Sequence, residues 1–528
     1  MFKKLVKDKS VKVILLEIFL IILGVVGLTL GVKYIMNNIG INVGTSKLAI
    51  DNMNATVSSG NLSPVADSSI NVNTTSGVLR ITFDVKGAST NTGDNIIYDA
   101  ILNIDTDCAL KNENIKWNLY KNSTLLTSGT TSPKYDKDVL NGKITLTDTQ
   151  QDLIPYSGTA DKYVFILWMS DNCTESDITK CDINSGLNSN MSNKTVTGNI
   201  DIRLNSGKKK SNNRGSVDGD ACAASTYIMA LDDGTTGDSG SGVYKVTHSA
   251  IPAGSSATGS EIPAVTDYRY YGASPNNYIC LDMEGQSTCP DRGLYRIIGS
   301  IYEENAGKNL VKVIKETPLT NGSTTNFNWD NGNVNIWATI TNGNYSNSLT
   351  SGASLMKLLN SGDWWNGNNT SSDYGLTEKS KSKVNTSRYY LGGYSTSKVT
   401  TSAMYGYERG TLRYNTDRPL YWDGYVGLMY PSDYGYAAGD ICVDGTNLDV
   451  YSVRCRDKDW LINLRNYKWL MSPYSGNTAT VFYLNKLSNV DYYYNSWSGG
   501  LVAPVFYLSS SASISEGEGT SAAPYILS

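Results

Sequence analysis

Residues 469–508, WLMSPYSGNTATVFYLNKLSNVDYYYNSWSGGLVAPVFYL, decide how the C-terminal half of this chain is interpreted. Two runs within them, 478–484 and 501–508, are rich in Val, Tyr and Phe, which predicts strands. The polar segment between them, 488–499, is predicted to be a loop. Its aromatic residues are Tyr492, Tyr493, Tyr494 and Trp497. We therefore expect adjacent strands that present an aromatic loop as a binding surface.

Length and composition bound the class of protein. A chain of 528 residues is too long for one core, so two or three domains are expected. A formal net charge of −4 is small for this length and argues against nucleic acid as a partner. The 36 tyrosines, with loops rich in Asn, Ser, Thr and Gly, are typical of extracellular all-β surface proteins.

The N-terminus has the pattern of a membrane anchor. Residues 1–12, MFKKLVKDKSVK, are basic, and residues 13–32 then form an apolar run whose one charged residue is Glu17. Twenty helical residues span about 30 Å, the thickness of a bilayer core. The basic flank predicts a cytoplasmic tail, which leaves the rest of the chain outside the cell. The alternative is a cleaved signal peptide, although its apolar region would be shorter and would end in small residues.

The cysteines agree with an exported chain. Of the eight, three pairs are close in sequence and are predicted to form local disulfides: Cys173 with Cys181, Cys280 with Cys289, and Cys442 with Cys455. Cys108 and Cys222 either pair with each other or stay free. Because the chain has no C-x-x-C motif and one His, we expect no zinc or other metal site.

Residues 33–48 are predicted to be a stalk, and residues 49–205 a β-sandwich. Apolar and polar residues alternate strictly in several segments of the latter, which is typical of half-buried antiparallel strands. One segment places Leu79, Ile81, Phe83 and Val85 on one face, and others do the same with Ile115, Trp117 and Leu119 or with Ala100 and Leu102. Residues 162–169, KYVFILWM, are continuously apolar and predict a central strand.

The end of this domain, ILWMSDN…NMSNKTVTGNIDIRL, resembles the anchored camelysin/TasA-like surface proteins. That resemblance implies a role in a surface fibre or stalk. The alternative is a sandwich that serves as a spacer between the membrane and the next domain.

Residues 206–220, SGKKKSNNRGSVDGD, predict a flexible linker, and residues 221–528 predict an α+β domain with few helices. Short helices are expected at 223–231 and Ser354–Asn360. Residues 293–301 and 309–315 predict a hairpin, and 426–430 a further strand.

A second resemblance covers this domain. The ordered series NNYICL, CPDRGLYRIIG, LMKLLN, VGLMYPSDYGYA, WLMSP, APVFYL and GEGT…PYIL looks like an uncharacterised domain of Firmicute-type surface proteins. That domain is similar to the formylglycine-generating-enzyme branch of the C-type-lectin-like fold, so the resemblance implies a C-type-lectin-like fold here. Family members often carry Arg before the Pro of the last strand, where this chain has Ala503.

Catalytic signatures are weak. His248 lies in a polar run and is predicted to be a surface residue, and no spacing pairs two carboxylates as glycosidases require. Asp423, Asp433 and Asp440 are predicted to form turns, the alternative being that they approach a sugar or calcium. Formylglycine-generating enzymes use a cysteine pair, but Cys442 and Cys455 are predicted to form a loop disulfide instead. We therefore expect no catalytic residues, no enzymatic activity and no cofactor.

What remains is the display of aromatic and polar side chains, which suits glycan or protein partners. The predicted ligand-binding residues are Tyr492, Tyr493, Tyr494, Trp497, Trp422 and Asp423. The sequence thus predicts a mainly β, adhesin-like bacterial protein, single-pass in the cell membrane, that binds an extracellular ligand. The alternatives are a structural fibre protein of TasA or pilin type, or an unrecognised formylglycine-generating-like enzyme.

Overall fold

The computed structural model of the chain is mainly β with few helices, as the alternating sequence patterns predict. It describes residues 32–42, 50–51, 55–57, 61–62, 64–87, 98–106, 114–131, 139, 143–146, 160–171, 195–204, 223–238, 240–283, 288–320, 326–332, 335–338, 340–341, 344–345, 352–367, 375–463 and 467–527. The chain divides into an N-terminal unit (1–131 and 142–210) and a C-terminal unit (132–141 and 211–528).

Strands β1 to β12 belong to the N-terminal unit. Their bounds are β1 (Val32–Asn42), β2 (Ile50–Asp51), β3 (Ala55–Val57), β4 (Asn61–Leu62), β5 (Pro64–Val65), β6 (Val78–Gly87), β7 (Tyr98–Thr106), β8 (Ile115–Lys121), β9 (Thr124–Thr130), β10 (Lys143–Thr145), β11 (Asp161–Ser170) and β12 (Thr195–Leu204). One sheet has the order β10-β7-β12-β1-β4. The other has the order β2-β6-β11-β8-β9, with β3 paired to β6 and β5 to β11.

The predicted alternation is confirmed in the second sheet. Leu79, Ile81, Phe83 and Val85 of β6 are all buried, and Ile115, Trp117 and Leu119 of β8 are buried with them. The apolar strand β11 lies between β6 and β8 and pairs antiparallel with both, so the expectation of a central strand is also confirmed. A continuous apolar run suits this position because a central strand can be covered on both faces.

The predicted stalk at 33–48 is wrong for residues 33–42, because β1 pairs in parallel with β12. This segment, VKYIMNNIGIN, is rich in the β-branched and aromatic residues that favour strands. The first sheet therefore begins before residue 49. Of the predicted anchor, residues 13–31 lie outside the described residues, as does the linker at 206–220. Among the residues that the structure describes, no helix is both long and apolar enough to cross a membrane.

The C-terminal unit contains strands β13 to β27. Their bounds are β13 (Gly242–His248), β14 (Val265–Tyr271), β15 (Tyr278–Cys280), β16 (Leu294–Glu303), β17 (Lys308–Lys315), β18 (Ile340–Thr341), β19 (Asn344–Tyr345), β20 (Ser387–Tyr390), β21 (Tyr421–Gly424), β22 (Lys468–Pro473), β23 (Thr480–Leu484), β24 (Val490–Tyr494), β25 (Val505–Tyr507), β26 (Ile514–Glu516) and β27 (Tyr525–Leu527).

Short helices accompany these strands: α1 (Ala224–Ala230), α2 (Ser354–Asn360), α3 (Asp363–Asn366), α4 (Glu378–Ser382), α5 (Thr401–Glu408), α6 (Pro431–Tyr436) and α7 (Val453–Arg456). The helices predicted at 223–231 and Ser354–Asn360 are confirmed as α1 and α2. In α2, Leu355 and Leu359 are buried together with Met356, which gives this helix its core-facing side.

An eight-stranded sheet organises the C-terminal unit. Its order is β13-β14-β16-β15-β27-β26, and β17 pairs with both β16 and β25. The predicted hairpin is confirmed as β16 and β17, which pair antiparallel around the turn that follows Glu303. The strand predicted at 426–430 is wrong: this segment makes one isolated bridge, from Gly427 to Val505.

Two of the predicted local disulfides are confirmed. Cys280 is bonded to Cys289, and Cys442 to Cys455. The third candidate pair, Cys173 and Cys181, lies outside the described residues, and so do Cys108 and Cys222.

Candidate functional site

The segment predicted to be an aromatic loop contains a strand. β24 pairs antiparallel with β23, and β23 pairs with β22, so 468–494 form a three-stranded sheet. Asp491 and Asn495 made the segment look like a loop, but Val490 and three consecutive tyrosines have strong strand propensity. The two strands predicted to be adjacent also belong to different sheets, because β25 pairs with β17.

The register of β24 separates the three predicted tyrosines. Tyr492 lies opposite Phe482, and Tyr493 lies opposite Val481. Because successive side chains of a strand point to opposite faces, Tyr492 and Tyr493 are on different faces of the sheet. β24 is the outer strand of this sheet, and Tyr492, Tyr493 and Tyr494 are 38%, 44% and 59% exposed.

One face carries a cluster of four rings, Tyr467, Tyr483, Tyr493 and Trp497, which we call the aromatic platform. The ring centroid of Trp497 lies 5.0 Å from that of Tyr467 and 5.2 Å from that of Tyr493. Tyr483 lies 6.1 Å from Tyr493 and 5.8 Å from Tyr467. These spacings fall within the range of favourable aromatic pairs, so the rings support one another.

Buried groups beneath the platform fix its position. Trp469 is buried, its ring centroid lies 5.8 Å from that of Trp497, and its indole N–H donates to the Phe327 carbonyl at 2.8 Å. Two glycines let both rings approach the backbone. A Cβ at Gly499 would lie 1.8 Å from Trp497, and one at Gly500 would lie 2.3 Å from Trp469. The Trp-Ser-Gly-Gly sequence is therefore a packing requirement.

The opposite face of the sheet carries a separate pair. Tyr492 stacks on Tyr474 with centroids 4.2 Å apart, and Phe482 lies 6.3 Å from Tyr492. Tyr494 alternates with Tyr493 along β24 and so shares the face of Tyr492, although its ring centroid lies 5.7 Å from that of Tyr493. Of the predicted ligand-binding residues, the structure thus brings Tyr493 and Trp497 together. It does not bring Tyr492 to the same surface.

Trp422 and Asp423 lie in β21, which forms a two-stranded antiparallel sheet with β20. Trp422 is 1% exposed and packs between Tyr389 and Trp337, with centroids at 5.7 and 6.3 Å. It is a core residue, which contradicts its prediction as part of a binding surface. The Asp423 carboxylate accepts hydrogen bonds from Arg388 Nε at 2.9 Å and from Nη2 at 3.0 Å. Its charge is therefore already compensated by the neighbouring strand β20.

The electrostatics of the platform favour hydrogen bonding. Burial raises the pKa of Tyr483 to about 12, and the neighbouring Asp491 adds to this effect. The hydroxyl therefore stays protonated at neutral pH and can act as a donor. Lys486 Nζ lies 5.2 Å from the Tyr467 ring centroid, within cation–π range.

A second group of polar residues, which we call the buried ionic network, was missed by sequence reasoning. It consists of His248, Asp267, Arg269, Asp433 and Lys312, all at most 6% exposed. His248 Nε2 lies 2.9 Å from Asp267 Oδ2, and Arg269 Nη2 donates to the same oxygen at 2.8 Å. Arg269 Nη1 donates a hydrogen bond to Asp433 Oδ1 at 3.0 Å.

The prediction of a surface His248 is therefore wrong. Its ring stacks on Tyr405 with centroids 3.7 Å apart, and Asp267 is paired with it from the neighbouring strand. Burial lowers the pKa of His248, so the imidazole is neutral at pH 7. One signal was available: Asp267 and Arg269 are two residues apart in β14, so they share one face of that strand.

Asp433 is also not the simple turn residue that was predicted. Its carboxylate accepts a hydrogen bond from Lys312 Nζ at 2.5 Å. It also caps α6 by accepting a hydrogen bond from the Tyr430 N–H at 3.1 Å. Burial by itself raises the pKa of Asp433, but Lys312 and Arg269 outweigh it and hold the pKa below its usual value. The network thus ties β13, β14, β17 and α6 together through compensated charges.

Glu408 extends this charged region at the end of α5. Its carboxylate accepts from the Ser432 N–H at 2.9 Å and from the Ser432 hydroxyl at 2.5 Å. Burial raises its pKa to about 7, although Arg409 Nη1 lies 3.3 Å away. Glu408 therefore titrates near neutral pH.

The buried ionic network joins its ionisable groups to one another through hydrogen bonds and ion pairs. The recorded contacts of His248 come from Asp267, Tyr405 and Tyr436, none of which is a Ser, Thr or Cys nucleophile. Within the described ranges of the chain, no group of three or more His, Cys, Asp or Glu is placed to hold a metal ion. The aromatic platform, by contrast, is exposed and is a candidate binding site.

Compared with known protein families, with curated proteins and with solved structures, the chain matches none of them.

Proposed function

We propose that this chain is an adhesin-like bacterial surface protein, anchored in the cell membrane by residues 13–32. In this proposal the C-terminal unit binds an extracellular glycan or protein through the aromatic platform. We also propose that the N-terminal unit is a β-sandwich and that the C-terminal unit has a C-type-lectin-like fold.

One observation carries the proposed binding role: an exposed ring is held rigidly on a sheet. Tyr493 is 44% exposed, and Trp497 fixes its position from 5.2 Å away. Trp497 is in turn fixed by Trp469 and by its close approach to Gly499. Rigid aromatic anchors lose little conformational entropy on binding, which is why Tyr and Trp dominate binding hot spots.

Both ligand classes use this kind of surface. The apolar face of a sugar ring packs on an exposed aromatic ring, while its hydroxyls need polar partners such as Asp491 beside the platform. A protein partner instead buries Tyr493 and Trp497 within a larger contact area, where each contributes as a hot spot.

A matched pair of variants tests the site. Tyr493→Ala removes a platform ring, whereas Tyr492→Ala removes a ring of similar exposure from the opposite face of the same strand. We expect Tyr493→Ala to weaken binding on glycan or extracellular-protein arrays by about tenfold or more. Tyr492→Ala should bind like the wild type. Equal losses in both variants, at unchanged melting temperatures, would refute the placement of the site.

The fibre alternative is favoured by one feature. β24 is an outer strand, and such an edge offers backbone groups to another chain. Electron microscopy of the purified full-length chain in detergent separates the two functions. Monomers that bind a ligand support the adhesin-like role, and ordered filaments support the structural one.

A further inference from the structure

A polar cleft lies between α1, the beginning of β13, the end of β14 and the C-terminal β27. Its volume is about 320 Å³, and its walls include Tyr227, Tyr270, Tyr525, Asp233 and Glu518. We propose that this cleft binds a small, neutral, polyhydroxylated ligand of the size of a monosaccharide. It shares no residue with the aromatic platform, so this inference stands independently of the proposed function.

Tyrosine hydroxyls form one part of the cleft. The hydroxyls of Tyr227, Tyr270 and Tyr525 lie close to one another, and that of Tyr270 is buried without a hydrogen-bond partner among the described residues. The rings of Tyr227 and Tyr525 pack edge to face with centroids 5.3 Å apart, which fixes their hydroxyls. Burial raises the pKa of both Tyr270 and Tyr525, so these groups stay protonated and available as donors and acceptors.

Glu518 supplies a carboxylate at the cleft in a position set by two glycines. Gly517 and Gly519 flank it with φ of 100° and 72°, a conformation that side chains rarely adopt. A Cβ at Gly519 would also lie 2.4 Å from the Asn276 carbonyl oxygen. The Gly-Glu-Gly sequence therefore lets this turn pack closely against the cleft wall, with Glu518 exposed to solvent.

Asp233 is a second exposed carboxylate of the lining. Its Oδ1 accepts a hydrogen bond from the Thr235 N–H at 3.1 Å, which restricts the side chain. Carboxylates and hydroxyls are complementary to the hydroxyls of a sugar, because a charge-assisted acceptor binds an O–H donor strongly. The two carboxylates beside the tyrosine hydroxyls therefore suit a ligand with several hydroxyls.

The same lining disfavours anions and quaternary ammonium ions. Among the described residues that line the cleft, none is Lys, Arg or His, so an anion would meet two carboxylates without a compensating cation. A quaternary ammonium group requires open ring faces. Here Tyr227, Tyr270 and Tyr525 are 1–3% exposed, so their faces are covered by protein. The volume falls at the lower end of the usual range for ligand pockets, about 300–1,000 Å³.

Saturation-transfer NMR on the full-length chain tests the inference. The probes are the methyl glycosides of glucose, galactose, mannose and N-acetylglucosamine, each alone, with tetramethylammonium as the cationic comparison. We expect at least one glycoside to bind. Glu518→Gln should weaken it about tenfold, because the charge-assisted hydrogen bond is lost.

A second variant fills the cleft and replaces none of its polar side chains. A Cβ at Gly242 would lie 3.6 Å from the Tyr271 ring, an ordinary contact, so Gly242→Leu is expected to fold and to abolish the signal. All proteins in this experiment carry Tyr493→Ala, so that glycoside binding to the aromatic platform does not contribute. Lys398→Met, at an exposed position outside the cleft, is the control and should leave the signal unchanged. The inference is overturned if no glycoside binds, if tetramethylammonium binds instead, or if the signal survives in both cleft variants.

Discussion

Lys312 Nζ lies 2.5 Å from Asp433 Oδ2, and neither side chain is more than 2% exposed. The other oxygen of the same carboxylate accepts from Arg269 at 3.0 Å, so one buried anion compensates two buried cations. Lys312 and Asp433 are 121 residues apart in sequence, and their contact joins β17 to α6.

Replacing Asp433 with Ala should strongly destabilise the protein, because Lys312 and Arg269 would remain buried without their shared carboxylate. We expect a loss of about 3–5 kcal/mol in the free energy of unfolding, measured by urea denaturation. The control is Glu378→Ala, which removes an 89% exposed partner of Lys381 and should cost less than about 0.5 kcal/mol. Equal costs in the two variants would contradict a compensating role for Asp433.

Glu408 should make stability fall as the pH rises. Its pKa is raised from 4.5 to about 7 by burial, so between these values the unfolded chain binds fewer protons than the folded one. Stability is then fully present below about pH 4.5 and declines up to pH 7, by roughly 3 kcal/mol in total.

Glu408→Gln removes this titration while it keeps an acceptor for the Ser432 N–H. The measurement is the free energy of unfolding of both proteins at several pH values from 5 to 8. We expect the free energy of unfolding of the Glu408→Gln variant to increase relative to that of the wild type as the pH rises. A constant difference would show that Glu408 does not titrate in this range.

Lys468→Met should stabilise the protein at pH 6. The amine is 1% exposed and has no hydrogen-bond partner among the described residues, and burial lowers its pKa to about 7. The folded pKa of Lys468 lies below the unfolded value of 10.5, so the unfolded chain binds more protons between these two values. The free energy of unfolding of the wild type therefore decreases as the pH falls from 10.5 to about 7, and it stays at the lower value at more acidic pH.

Met does not titrate and fills a similar volume, so we expect a gain of about 1–4 kcal/mol at pH 6 that narrows towards pH 9. The exposed Lys398 provides the control, since Lys398→Met should change the free energy of unfolding by less than about 0.5 kcal/mol. A loss of stability in Lys468→Met at pH 6 would mean that the buried amine has a compensating partner.

Gly499→Ala should displace Trp497, since the added Cβ would lie 1.8 Å from its ring. We expect a loss of about 1–3 kcal/mol and a changed near-UV circular dichroism spectrum. Gly406 in α5 is the matched control, because a Cβ there meets no atom within 4 Å. Gly406→Ala should raise stability by about 0.5–1 kcal/mol, as expected for a helix interior. An unchanged spectrum in Gly499→Ala would show that the ring position does not depend on this glycine.

Much of the local structure followed from sequence patterns. The alternation in β6 and β8, the β16–β17 hairpin, helices α1 and α2 and two disulfides were all predictable, because each depends on residues close in the chain. β24 was misread as a loop. The sequence of β24 shows no alternation of apolar and polar residues, because the three tyrosines of this outer strand are all exposed.

The sequence by itself determined several strands, such as β6, β8, β11, β16 and β17, and the accumulation of aromatic residues near the C-terminus. Only the tertiary structure decided what these residues do. The register of β24 assigned Tyr492 and Tyr493 to opposite faces, and burial removed Trp422 from any binding surface. The tertiary structure also places Asp433 within hydrogen-bonding distance of Arg269, which lies 164 residues away in the chain. Strand propensity is a local property, whereas burial and charge pairing depend on contacts between distant segments that no local pattern encodes.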